Sequence, residues 1–255
     1  MPITTLAIKI YNKSEIKFAE DFLKLKLKGL RVKTQICGTT PNNWVQASIS
    51  GEDENIALRY ISEEVGICPN TVKEIKKFSR LKGYVASINK NEILIDIGVS
   101  PPEMKARVDL QHLQAQLVDG RKIALKKIAE LYGLCESLPL IIKALSVNEK
   151  ENSIEAALSE TQINMYRKWI KSLLDRLIVI GATRGEITLG LKVTRCMRDV
   201  VEVEPLGLFE HALTCKLGTN AVGLIPKLGK QFPDAILAIF SPKRIIGFLG
   251  ENQIL

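Results

Sequence analysis

The chain has 255 residues, enough for two or three domains, and a hydrophobic content of 46% that fills real cores and excludes wholesale disorder. No apolar run approaches the roughly 18 residues needed to span a bilayer. The start MPITTLAIKIYNKSE lacks the features of a secretory signal, so a cytoplasmic protein with no membrane partner is expected. The net charge of +8 divides into +4 over residues 1–80, −1 over 81–160 and +5 over 161–255, so the cations gather in the flanks. A basic balance favours a polyanionic partner, although surplus lysine also serves solubility.

Residues 4–11 alternate as a first strand, with Leu6, Ile8 and Ile10 on one side. NKSEIKFAEDFLKLKLKGL then predicts a helix capped by Ser14 and ending near Gly29. Strands follow at Leu30 to Ile36 and Trp44 to Ile49, and EDENIALRYISEEVG reads as an acidic-started helix. The order βαββα defines a two-layer α/β domain over residues 1–79, ferredoxin-like if Val72 to Phe78 adds a last strand.

A second unit, 80–160, begins with a hairpin of Tyr84 to Ile88 and Glu92 to Ile97. SPPEMK cannot lie inside a central strand, because proline lacks the donor a ladder needs. KARVDLQHL reads as a third strand running into a turn, and an amphipathic helix lies between Gly120 and Gly133. LIIKALSVNEKENSIEAALS gives two further strands around the polar turn Asn148 to Asn152.

The third unit, 161–255, is a basic α/β domain. It opens with an amphipathic helix whose Ser159 and Gln162 stand at capping-box spacing. Apolar strands follow at Leu177 to Ile180, across RDVVEVEPLGLFEHALTCKLG and at AILAIF.

Residues 80–158 resemble the RNA-binding barrel of the ribosomal-protein S-one type, an OB-like fold of five strands. KGYVASINKNEILIDIG matches its first two strands, KARVDLQHL the third, and LIIKALSVNEKENSIEAALS the last two; the likeness needs a helical insertion around 114–137. GLFEHALTCKLG and GLIPKLG suggest a second, degenerate copy within 199–240. The whole chain is also similar to an archaeal family of uncharacterised proteins, which implies a setting in transcription or translation. The family stacks bases on second-strand aromatics and uses a polar third-strand residue, often histidine. Here NEILIDIG has no aromatic and Asp109 holds the third-strand position; Tyr84 on the first strand is a partial substitute. In the second copy, Phe209 and His211 fall on the corresponding strand, with Lys216, Lys227 and Lys230 nearby.

Catalytic motifs are missing: there is no G-x-G-x-x-G, Walker loop, H-E-x-x-H or G-x-S-x-G. Five cysteines without a C-x-x-C pair, and only two histidines, read as reduced thiols, with no metal or cofactor expected. GATRG, residues 181–185, offers backbone amides and Arg184 to an anion, or is a plain loop. Three basic clusters stand out. Lys24, Lys26, Lys28, Arg31 and Lys33 form the first; Lys73, Lys76, Lys77, Arg80 and Lys82 lead into the barrel; Arg167, Lys168, Lys171 and Arg176 lie on and just after the last unit's helix. The expected function is therefore a non-catalytic RNA binder of the archaeal translation or RNA-processing apparatus, its RNA ribosomal or otherwise. The alternatives are a protein adaptor on the ribosome or RNA polymerase, and an RNA-modifying enzyme.

Overall fold

The computed structural model describes residues 3–99, 103–148 and 153–250. Ser100 to Pro102 and most of the turn after Asn148 therefore lie outside the described residues. The protein is α+β, with a three-stranded sheet, a closed barrel and a four-stranded sheet in chain order.

In the first unit, β1 (Ile3–Lys9), α1 (Ser14–Lys26), β2 (Val32–Thr39), β3 (Trp44–Gly51) and α2 (Glu54–Glu64) form an antiparallel sheet of order β1-β3-β2 under two helices. Alternation places Leu6, Ile8, Val45, Ala47 and Ile49 on the covered face, where Ala19 and Leu23 of α1 and Ala57 and Ile61 of α2 meet them. Burying such side chains contributes about 1.5–3 kcal/mol each for the larger aliphatics. The N-cap of α1 is Lys13, and Ser14 is its first helical residue. A fourth, ferredoxin-like strand is not formed: Val72–Glu74 is a short 3-10 turn, with Lys73 exposed.

The barrel is built from β4 (Arg80–Ile88), β5 (Glu92–Asp96), β6 (Lys105–Asp109), β7 (Pro139–Asn148) and β8 (Ser153–Leu158), closed in the order β4-β5-β6-β8-β7. Antiparallel pairs join all neighbours except β6 and β8, which run parallel. The parallel pair requires a crossover, which α3 (Leu110–Leu117) and α4 (Leu125–Tyr132) begin, before β7. Gly133, in the left-handed region at φ 65, ends α4.

The third unit comprises α5 (Glu160–Lys171), β9 (Arg176–Ile180), α6 (Arg184–Val193), β10 (Val200–Pro205), β11 (Glu210–Cys215), α7 (Ile225–Leu228), β12 (Ile236–Phe240) and α8 (Pro242–Leu249). Ser159 caps α5 by accepting from the Gln162 amide at 3.2 Å. The sheet is open, of order β10-β11-β9-β12, so in place of the second barrel expected for 199–240 those residues supply β10, β11, α7 and β12. Its centre is covered on both faces, which is why RLIVI reads as a continuous apolar run. Ile178 and Ile180 join the core of the barrel and its helices, while Leu177 and Val179 pack with Ile187 and Leu191 of α6. No helix of the described residues is long and apolar enough to cross a membrane.

Candidate nucleic-acid interface

The wall of the barrel begins before β4. The Phe78 amide donates to the Ala144 carbonyl at 2.8 Å and the Ala144 amide to the Ser79 carbonyl at 3.0 Å, extending the β4–β7 ladder by two residues. Phe78 adopts φ 70, a left-handed conformation that costs an L-residue roughly 1–2 kcal/mol. Its side chain is nevertheless 57% exposed. A strained, solvent-facing aromatic gains nothing from core burial, and such backbone strain concentrates at functional positions.

Cations surround that ring. The ammonium groups of Lys77 and Lys143 stand 5.0 and 4.9 Å from its centroid. Arg80 is the direct cross-strand partner of Lys143. Its guanidinium reaches the Thr161 hydroxyl at 3.4 Å, in the first turn of α5. From there the exposed residues of α5 continue the strip through Asn164, Arg167, Lys168 and Lys171, with Arg167 donating to Asn164 Oδ1 at 3.3 Å. Thr161 to Lys171 covers about 15 Å at the helical rise. The fold thus joins Lys77 and Arg80 of the second basic cluster to Arg167, Lys168 and Lys171 of the third, which are far apart in the chain. Lys73 and Lys76 are exposed at the near end. Among the described residues, none of Lys73, Lys76, Lys77, Arg80, Lys143, Arg167, Lys168 and Lys171 pairs with a carboxylate.

The first cluster contrasts with this. Lys24 is 2.7 Å from Glu20, Lys26 pairs with Glu64 and Arg31 lies 2.5 Å from Glu52. Arg176, from the end of the third cluster, is buried in β9 and points its guanidinium at the carbonyls of Trp169 and Leu174. Lys216, Lys227 and Lys230 are exposed on the third unit, and among the described residues no hydrogen bond or ion pair links them to the β4–α5 strip.

Four residues expected at the interface lie elsewhere. Tyr84 is fully buried: its hydroxyl donates to the Ala7 carbonyl at 3.2 Å and its ring packs edge-on against Trp44, so it has no face for a base. Phe209 is also fully buried, because it inserts into the core of the first unit and packs 5.7 Å from Phe18. His211 is 2% exposed on an inner strand of the sheet. Lys82 is half-buried, its ammonium donating to the Val65 carbonyl at 3.3 Å. All four belong to the seam where the three units meet.

At that seam Glu210 is fully buried. Tyr11 of the first unit donates to its Oε1 at 2.6 Å, and Tyr84 of the barrel lies 3.4 Å from Oε2. Burial pushes the Glu210 carboxyl up to about 7, against the lowering effect of the Tyr11 hydrogen bond and the Lys82 charge. Burial likewise holds Lys82 below the usual lysine range and both tyrosines above theirs. The group ties one residue from each unit together.

Sequence reasoning missed Phe78 and Lys143. Phe78 had a visible signal, an aromatic inside the basic run KKFSR. Lys143 had none, since only the β4–β7 pairing brings it to Phe78.

A three-part chain with an OB-like barrel at its centre, and a basic strip that among the described residues lacks carboxylate partners and carries the exposed Phe78, defines a multidomain barrel protein. Profiles of the DUF2110 N-terminal, central and C-terminal domains match residues 3–71, 76–170 and 174–240, so the chain belongs to the DUF2110 family. No curated protein matches it in sequence. Among solved structures it overlaps the alpha subunit of aIF2 from Pyrococcus abyssi at 8% identity and TM-score 0.27, over 65% of this chain and 97% of that one. A chain of the a/eIF2alpha–aDim2p–rRNA complex from Pyrococcus horikoshii OT3 overlaps at 10% identity and TM-score 0.27, over 48% and 64%. Protein MJ1198 from Methanocaldococcus jannaschii overlaps at 14% identity and TM-score 0.25, over 34% and 95%. Overlaps this partial carry no argument about this chain.

Proposed function

We propose that the protein is a non-catalytic RNA-binding protein that grips a strand along the β4–β7 wall and α5. The observation that carries this reading is Phe78, 57% exposed in a strained conformation, with the ammonium groups of Lys77 and Lys143 5.0 and 4.9 Å from its ring. Both ammonium groups stand over the ring, so a stacking base takes the place of a lysine on its face, and the displaced cation is left beside the flanking phosphate. Base stacking on an aromatic is worth about 1–3 kcal/mol per base. Arg80, Arg167, Lys168 and Lys171 extend the phosphate track. Such contacts give affinity with little reading of sequence. The site differs from that of the S-one-type family, since it uses the residue before the first barrel strand in place of second-strand aromatics.

The test is fluorescence anisotropy of a labelled single-stranded RNA and a labelled hairpin RNA at low salt. Saturable binding is expected, weakened by roughly fivefold to a hundredfold in Phe78→Gly. No binding of either RNA at low salt would overturn the reading.

A second reading, a protein adaptor, is favoured by one observation. Leu189 and Val193 on α6, Met197 after it and Val201 on the edge strand β10 are 63%, 62%, 42% and 63% exposed. Partners that survive nuclease treatment in an affinity capture, and are lost in Leu189→Glu, would support it.

A further inference from the structure

The seam between the three units opens into a cleft of about 440 Å³, within the range of roughly 300–1,000 Å³ typical of small-molecule sites. Its lining comes from all three units: Phe18, Phe22 and Lys26 of α1, Lys82 of the barrel, and Arg184 and His211 of the third unit. The RNA reading of the barrel wall does not enter here: Lys82 lies on β4 but turns its ammonium to the Val65 carbonyl of the first unit, and the other lining residues lie off the β4–α5 strip.

Three features of the lining specify an occupant. The first is positive charge. Arg184 is the opening residue of α6, directly after the Thr183 cap, and is exposed. Among the described residues it has no carboxylate partner, and Lys82 lies across the cleft from the barrel side. The one carboxylate in the lining, Glu64, is already engaged with Lys26. The second is an apolar wall led by Phe18, which is 42% exposed, while Phe22 beside it is partly buried and carries the Lys26 ammonium over its ring at 5.7 Å.

The third is an unanswered acceptor. His211 is 2% exposed, its ring bonds the Ala182 backbone through one nitrogen, and its Nδ1 has no partner among the described residues. Burial and the nearby Arg184 charge push its pKa down to about 4, so the ring is neutral near pH 7 and Nδ1 carries a lone pair. A buried acceptor left unpaired costs about 1–3 kcal/mol; Nδ1 is shielded from water, so a ligand hydroxyl or amino group recovers that cost when the ring turns toward the cleft.

A negative group, a flat aromatic face and a hydrogen-bond donor, all within 440 Å³, belong together in one ligand class. We propose that this cleft binds a single nucleotide unit, a phosphorylated nucleoside, either free or as the phosphorylated end of a strand. The phosphate sits on Arg184 and Lys82, the base lies on Phe18, and a sugar hydroxyl or base amino group donates to His211 Nδ1 once the ring turns toward the cleft.

Calorimetric titration of the full chain with AMP, GMP, CMP and UMP, with inorganic phosphate as a separate arm, tests this. Saturable binding of at least one mononucleotide is expected, weakened about tenfold or more in Arg184→Gln through loss of the charge-assisted bonds. Phe18→Ala is expected to weaken the mononucleotide by about fivefold while leaving inorganic phosphate unchanged. Both substituted residues are exposed, and a thermal melt confirms that each variant folds. A short RNA with a 5′-phosphate that displaces the mononucleotide, where its dephosphorylated form does not, identifies strand ends as the source; failure to displace identifies the free nucleotide. No binding of any mononucleotide at millimolar concentration would overturn the proposal. So would binding that both variants leave unchanged, or binding of inorganic phosphate alone.

Discussion

One end of strand β4 and its middle carry the same residue types and put them to opposite uses. Before the strand begins, Phe78 stands 57% exposed with Lys77 and Lys143 near its ring. Six residues on, Tyr84 is fully buried, and Lys82 is held under the first unit by the Val65 carbonyl. An aromatic beside a lysine is therefore no signature of function by itself. What separates the two is the neighbouring unit: where a second domain seals the wall, the pair becomes part of a seam with Glu210, and where none of the described units seals it, the aromatic stays 57% exposed. Burial has stripped Lys82 of much of its hydration and holds it below the usual lysine range.

The largest effect is expected where the two regions are physically joined. A Cβ at Gly83 would lie 2.5 Å from Ile95 Cγ2 and 2.6 Å from the Asp96 carbonyl. Gly83→Ala therefore forces β4 off β5 and should lower stability by about 3 kcal/mol, read as an earlier urea midpoint. A stability within error of wild type would show that the barrel wall tolerates displacement there.

The seam should also respond to pH. Glu210 sits near 4.5 in the unfolded chain and is raised to about 7 by burial. Its contribution is fully present below pH 4.5 and is lost as the pH climbs through about 7. His211, lowered to about 4 from 6.5, works the other way, with a contribution present above pH 6.5 and lost as the pH falls through about 4. Over pH 4.5 to 6.5 the two oppose each other in the wild type. Glu210→Gln removes the first alone, so its stability relative to wild type should rise by roughly 3 kcal/mol between pH 4.5 and 7. Urea titrations of both proteins across that range measure it, and a constant difference would contradict the burial argument.

At the open end, Phe78→Gly should separate binding from folding. Glycine accepts φ 70 without strain, so stability is expected to stay level or rise by up to about 1 kcal/mol while RNA affinity falls. A loss of both would mean that Phe78 is a packing residue. The smallest effect belongs to the paired first cluster: Lys24→Ala and Arg31→Ala, whose cations already face Glu20 and Glu52, should change RNA affinity by less than about twofold.

The barrel strands were legible because they alternate and are punctuated by polar turns, while their closure into a barrel was implied by the resemblance to the S-one-type family. β9 was legible as an apolar run. α6 was not, because RGEITLGLKV holds two glycines and β-branched Ile, Thr and Val, and its helical state rests on the Thr183–Glu186 capping box and on Ile187 and Leu191 packing under the sheet. The burial of Tyr84, Phe209 and His211 was illegible for a different reason. Each looks like a binding-face residue on its own strand, and only the docking of the first unit on the other two buries them. The same docking creates the cleft, so Arg184 and His211, 27 residues apart, face one space. Lys143 and Phe78 meet through strand register, which no local window contains.

The most direct measurement of the RNA-binding claim is the slope of log affinity against log salt for a labelled single-stranded RNA, in the wild type and in a Lys77→Ala, Lys143→Ala double variant. Each neutralised phosphate contributes about −0.7 to that slope for single strands, so the wild type should show a steep negative dependence and the variant a slope shallower by about 1.4. A wild-type affinity indifferent to salt, or a variant slope equal to that of the wild type, would contradict the assignment of the β4–β7 wall as the RNA-binding surface.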